Sequence, residues 1–247
     1  MSRKMWMGAR IRTKRIIKGR ADEKKEYTIA LAGNPNTGKS TIFNALTGLN
    51  QHTGNWSGKT VIKVQGQYRF KNRVYSLVDL PGTYSLFTNS IEEQIARDFI
   101  CFQKPDVVVV VVNAGCLERN LNLVLQVLEI TFRVVVCVNL LDEAKRKNIQ
   151  IDLPGLAQEL GVPVVGTVAR KGAGLKELKQ TIENLLLGHI RVNPKLPVYD
   201  EELEKEIAGL LPLISDRAGQ TVNPRWLALR ILEGDYSVLG RVERDWL

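Results

Sequence analysis

Tyr27 to Ala32 is a short apolar run, and Gly33 to Ser40 after it is a glycine-containing turn. From Thr41 to Thr47 the apolar positions Ile42, Phe43, Ala45 and Leu46 fall on one face, which predicts a helix. Residues 49–60 are polar and glycine-rich and read as a loop. Val61 to Phe70 and Arg73 to Val78 alternate as paired strands do, with Lys71-Asn72 as their turn. Asp106 to Val112 and Arg133 to Val138 are continuous β-branched runs, the pattern of strands covered on both faces of a parallel sheet. Between them Asn120 to Ile130 has helical spacing; Leu156 to Leu160 ends at Gly161 as a helix does at its C-cap. Pro163 to Val168 predicts another strand and Leu175 to Leu187 another helix. Gly188 to Pro197, with two prolines, reads as a linker, and the helix-like stretches Tyr199 to Ile214 and Pro224 to Glu233 follow it without further strands.

Strands alternating with helices at this spacing predict an α/β fold with a doubly wound, mostly parallel sheet and ligands at the C-terminal strand ends. The expected division is a domain over 27–188 and an all-α unit over 189–247, after an extension over 1–26.

The strongest chemical signal is Gly33-Asn34-Pro35-Asn36-Thr37-Gly38-Lys39-Ser40, a GxxxxGK[ST] phosphate loop placed between a strand and a helix. Backbone N–H groups and the helix N-terminus suit it to phosphates. Lys39 is expected at the β/γ-phosphates and the Ser40 hydroxyl on Mg²⁺. Asp79-Leu80-Pro81-Gly82 follows a strand, so its carboxylate can hold Mg²⁺ through water while the Gly82 N–H senses a γ-phosphate. In the 49–60 loop a threonine hydroxyl can complete the Mg²⁺ shell only when triphosphate is present. Thr60 is favoured over Thr53 because a strand begins immediately after it, so Gly58-Lys59-Thr60-Val61 is the expected switch contact. Asn139-Leu140-Leu141-Asp142 ends a strand; the Asp142 carboxylate can accept both N1–H and N2–H of guanine, a donor pair that adenine lacks. Thr167-Val168-Ala169 would bring a backbone N–H to guanine O6. The ligands expected are therefore GTP or GDP with Mg²⁺.

Charge changes the picture only at the N-terminus. The chain of 247 residues carries a formal net charge of +9. Residues 1–26 hold ten basic side chains against three acidic ones, so the excess lies in this extension. It reads as a solvated, disordered arm, with contact to an anionic membrane surface or to nucleic acid as the sharper alternatives. No apolar run approaches the ~20 residues that span a bilayer, and no secretory h-region follows the basic start. Cys101, Cys116 and Cys137 lie in apolar segments without metal-ligand spacing, which predicts core packing. Trp226 is expected in a helix core and the glutamates at 201, 202, 204 and 206 on a solvated face.

Two segments narrow the class. His52-Thr53-Gly54-Asn55-Trp56-Ser57-Gly58-Lys59-Thr60-Val61 is similar to the HVGNWPGVTV switch pattern of FeoB-type ferrous iron transporters, and Pro224 to Asp235 resembles the RWxALxLLEGD signature of their helical, dissociation-inhibitor-like region. The resemblance covers roughly 27–240. It implies a small G-protein-type phosphate-loop domain followed by that helical domain, at the cytoplasmic side of a bacterial or archaeal membrane. It also implies coupling to a polytopic permease in the same or an associated chain. It further implies slow intrinsic GTP turnover stimulated by potassium, with Asn36 and the backbone carbonyls of Asn55 and Trp56 on the cation. Catalysis would then rest on Asn36, Lys39, Thr60 and Gly82. Thr83 stands where many GTPases place a water-orienting Gln, Leu140 replaces the usual Lys over the purine, and Val168 replaces a usual Ser. A ribosome-assembly or RNA-associated GTPase is the alternative, disfavoured because the positive excess is confined to 1–26; a nucleotide-binding scaffold without turnover is a third. Association of copies of the chain stays open.

Overall fold

The computed structural model describes residues 26–49, 51–87, 90–218, 222–235 and 237–239. The basic extension, apart from Glu26, lies outside the described residues, as does 240–247. Seven strands form one mixed sheet: β1 (Glu26–Gly33), β2 (Gln51–Asn55), β3 (Ile62–Phe70), β4 (Arg73–Asp79), β5 (Val107–Asn113), β6 (Val134–Asn139) and β7 (Val164–Gly166). Their order is β2-β3-β4-β1-β5-β6-β7. β4 through β7 run parallel with β1, while β2–β3 and β3–β4 are antiparallel.

The uninterrupted valines of β5 have their reason in two covered faces. Val108, Val110 and Val112 join one core, with Ala30 and Ala32 of β1 and Leu123, Val124, Val127 and Leu128 of α3 (Leu117–Ile130). Val107, Val109 and Val111 join the other, with Ile42, Phe43 and Leu46 of α1 (Lys39–Thr47) and Leu178 and Ile182 of α6 (Leu175–Leu186). Each buried valine contributes ~1.5–3 kcal/mol relative to exposure, so this double layer sets where the strand ends, and hence the site, must lie.

A third core joins the C-terminal helices α7 (Glu201–Ala218) and α8 (Pro224–Leu232) to the sheet domain. Trp226 is 3% exposed within it, as a core residue should be. Cys101 and Phe102 of a π-helical turn (Phe99–Gln103) pack into it from the other side. That turn continues α2 (Ile91–Asp98), which Ser90 caps by accepting from the Glu93 N–H. Arg97 of α2 is buried and pairs with Asp98 and with Asp235, each at 2.8 Å. Tyr199 donates to Glu129 of α3 at 2.5 Å, and Arg225 grips Glu204 through two bonds of 2.7 Å. That pairing pulls the Glu204 carboxyl down to about 2.

Several elements of the structure differ from those the sequence pattern predicts. The stretch 49–60 is not all loop: β2 pairs with β3 from Gln51↔Gly66 to Asn55↔Ile62. All five β2 residues are exposed, so no apolar alternation marks them. α2 and its π-helical extension, and α4 (Leu141–Arg146), were not anticipated. α5 (Leu153–Leu160) begins three residues before Leu156, with Asp152 accepting from the Gly155 N–H. Cys101 and Cys137 are buried but Cys116 is exposed on a 3₁₀ turn, so core packing holds for two of the three. Burial pushes the Cys137 thiol up to about 12 and raises that of Cys101 as well. A thiol reagent is therefore expected to label the native chain at Cys116 alone and all three positions after denaturation, as mass spectrometry of labelled peptides would read out.

Candidate nucleotide site

The phosphate loop closes between β1 and α1 because its glycines leave no room for a side chain. A Cβ on Gly33 would lie 2.5 Å from the Val111 carbonyl oxygen, and one on Gly38 would lie 2.3 Å from Asn139 Nδ2. Gly38 and Asn36 both have positive φ, at +79° and +63°. The Thr37 hydroxyl donates to the Asn34 carbonyl at 3.0 Å and is itself buried. Asn34 is 2% exposed, and neither polar atom of its side-chain amide has a partner. Ser40, in the first turn of α1, is exposed. The N–H groups opening a helix have no carbonyl ahead of them, so this end of α1 favours an anion.

Lys39 and Asp79 meet. The Lys39 ammonium donates to Asp79 Oδ1 and, at 2.6 Å, to the Leu80 carbonyl. Both side chains are largely covered, at 10% and 12% exposure. The segment after β4 is tied to the loop as well: Leu80 N–H donates to the Leu31 carbonyl at 3.0 Å and Thr83 N–H to the Gly33 carbonyl at 3.2 Å. A Cβ on Gly82 would sit 3.5 Å from Pro35, which places Pro81-Gly82 against the loop. The Thr83 hydroxyl donates to the Ser85 carbonyl at 2.6 Å, and the residue is buried.

Asn139 at the end of β6 is fully buried and joins two loops. Its Nδ2 donates to the Thr37 carbonyl at 3.0 Å, and its Oδ1 accepts from the Thr167 hydroxyl at 3.0 Å and the Ala169 N–H at 3.1 Å. Leu140 then turns the chain at φ +64°, so that Leu141 and Asp142 begin α4. Asp142 Oδ1 accepts from the Glu143 N–H at 3.1 Å. Val168 pairs with Ala173 across the tight turn after β7.

The switch residues stand apart. Trp56 N–H donates to the Val61 carbonyl at 3.0 Å, and the Trp56 carbonyl accepts from the Lys59 N–H at 2.9 Å, closing the β2–β3 hairpin with Gly58 at φ +66°. The indole meets Phe99 edge-on at 5.5 Å, with the Lys63 ammonium 5.1 Å above it. Among the described residues no hydrogen bond joins 55–61 to 33–40. Asn55 and Thr60 are exposed on this hairpin. The structure thus brings residues 33–40, 79–83, 139–142 and 167–169 together and leaves Asn55, Trp56, Gly58, Lys59, Thr60 and Val61 apart from them. No motif in the sequence marks the Trp56 seat, because the π-helical turn that carries Phe99 has none.

A mixed seven-stranded sheet with a phosphate loop at β1–α1, Asp79 on the neighbouring strand end and Asn139 on β6 defines a phosphate-loop G domain, here followed by a helical domain. The family model for ferrous iron transport protein B matches residues 27–182, and that for the FeoB cytosolic helical domain matches 199–246. The chain belongs to the FeoB family. It is 42% identical over 215 residues to the Fe(2+) transporter FeoB of Salmonella typhi, covering 85% of this chain but 27% of that protein. The corresponding transporter of Escherichia coli K12 is 41% identical over the same shares. The cytosolic domain of T. maritima FeoB in apo form superposes with a TM-score of 0.80 at 38% identity, covering 89% of this chain and 86% of that one. Its GMPPNP form gives 0.80 at 37% identity, covering 88% and 85%.

Proposed function

We propose that this chain binds GTP and GDP through residues 33–40, 58–61, 79–82, 139–142 and 167–169, and hydrolyses GTP slowly as the regulatory module of a ferrous iron transport protein. The observation that carries this reading is Asn139, which pins the phosphate loop at Thr37 and the base loop at Thr167 and Ala169 with one buried side chain. Phosphate and base recognition are thereby held in fixed register, and Asp142, three residues on, adds selection for guanine. The proposed units are a G domain over 27–188 and a linker with a dissociation-inhibitor-like helical domain over 189–247.

Binding requires an exchange of partners. Lys39, held by Asp79 and the Leu80 carbonyl, turns to the phosphates, and the carboxylate it leaves becomes free. Ser40, Thr60 and Asp79 are hard oxygen donors of the kind Mg²⁺ takes, and would hold it. Bound there, Mg²⁺ and a K⁺ on Asn36 and the carbonyls of Asn55 and Trp56 would offset charge on the transferring phosphoryl group. Thr60 and the two carbonyls lie on a hairpin that no hydrogen bond ties to the phosphate loop, so we assign the β2–β3 hairpin as the moving switch. With Thr83 buried, no side chain at that position orients the attacking water, which supports slow turnover. The chain spans 27% of the length of the transporters it matches, and a permease elsewhere in such a protein is the proposed partner at the cytoplasmic side of the membrane.

Asn36→Ala is expected to remove potassium stimulation while weakening GDP binding by no more than about tenfold, because Asn36 is exposed and alanine at its φ of +63° costs the loop roughly 1–2 kcal/mol. Phosphate release measured in potassium and in sodium checks this; an unchanged potassium-to-sodium ratio in the variant would contradict the cation site.

A further inference from the structure

The guanine reading leaves open what orients the Asp142 carboxylate, since a side chain that must accept two parallel N–H bonds from one base edge has to be held about its last torsion. The adjoining loop offers no hydroxyl at Val168 for that purpose. One oxygen, Oδ1, is held by the Glu143 N–H at 3.1 Å. The other, Oδ2, lies 3.5 Å from the ammonium of Lys171. A carboxylate has about four lone-pair sites, so these two contacts leave one on each oxygen for the base.

Lys171 is well placed to do this. It ends the 3₁₀ turn Ala169–Lys171, and its N–H donates to the Val168 carbonyl at 2.9 Å. Gly174 then folds so closely that a Cβ there would lie 2.1 Å from the Gly166 carbonyl oxygen. The loop that carries Lys171 is thus the loop that Asn139 fixes through Ala169. The lysine side chain is 63% exposed, against 21% for Asp142. A pair this open contributes little to folding, so its removal can be read at the site without unfolding the chain.

We propose that Lys171 is a positioning residue for guanine selection, holding the Asp142 carboxylate in the orientation that accepts N1–H and N2–H. This rests on the guanine role of Asp142. The test uses GDP and inosine diphosphate, which lacks the 2-amino group, titrated calorimetrically against the full chain and its Lys171→Ala, Lys171→Arg and Asp142→Asn variants. Lys171→Ala is expected to lower the preference for GDP over inosine diphosphate by roughly two- to fivefold, with Lys171→Arg restoring it. A merely structural role would weaken both ligands alike and leave the ratio unmoved, and that result would overturn the proposal. So would a ratio that falls equally in the arginine variant. If Asp142→Asn itself keeps the native preference, the guanine reading fails. If it loses the preference while Lys171→Ala keeps it, only the role of Lys171 fails.

Discussion

Lys39→Ala is expected to abolish detectable GDP and GTP binding by this chain at micromolar nucleotide. The lysine places its ammonium beside the phosphate loop, donating to Asp79 and to the Leu80 carbonyl. Turned to the phosphates it makes charge-assisted bonds of ~1.5–3 kcal/mol each; two of them correspond to roughly 10²- to 10⁴-fold in affinity. Losing the ammonium also leaves Asp79, 12% exposed, without its cation and facing the incoming phosphates. Both effects act in the same direction. Isothermal titration with GDP, beside a circular dichroism melt to establish that the variant folds, is the check. Micromolar GDP affinity in a folded Lys39→Ala chain would contradict the phosphate-loop assignment.

Asp142→Asn is expected to move nucleotide preference from guanosine toward xanthosine triphosphate. In the proposed site the native carboxylate accepts two N–H donors of guanine. An amide accepts at one atom and donates at the other, which matches xanthine, whose 2-position carries a carbonyl. Each mismatched contact to a charged acceptor costs ~1.5–3 kcal/mol, so a preference change of about two to four orders of magnitude follows. The substitution is nearly isosteric and Asp142 is partly exposed, so stability should hardly move. Competition of the two triphosphates for the same site measures it. A chain that still selects the guanine nucleotide after the substitution would show that Asp142 does not read the base.

The candidate phosphate and base loops were legible as motifs because their residues are local in the chain. Gly33 to Ser40 needs contiguous residues in a strand–helix turn, and Asn139 and Asp142 lie three residues apart at a strand end. The valine runs of β5 and β6 were legible for a related reason: burial on both faces leaves an uninterrupted signature. What escaped is what depends on partners distant in sequence. β2 is an exposed edge strand whose pairing with β3 is made through the backbone. α2 and the π-helical turn after it are short, and Trp56 is seated on Phe99 of that turn, 43 positions later in the chain. The pairing of Lys171 with Asp142 spans 29 positions and joins two loops that meet only once the sheet has formed. Cys116 follows the apolar run of β5 but lies on the 3₁₀ turn beyond the strand, where it is exposed.

In the proposed function the phosphate loop, Asn139 and Asp142 make this chain a guanine-specific, cation-assisted hydrolase. Phosphate release from GTP and from ATP by the wild-type chain, with magnesium, in potassium and then in sodium, tests it most directly. The expected result is slow release from GTP, faster in potassium than in sodium, with ATP left intact. Equal hydrolysis of the two nucleotides, or no release from GTP in either salt, would contradict it.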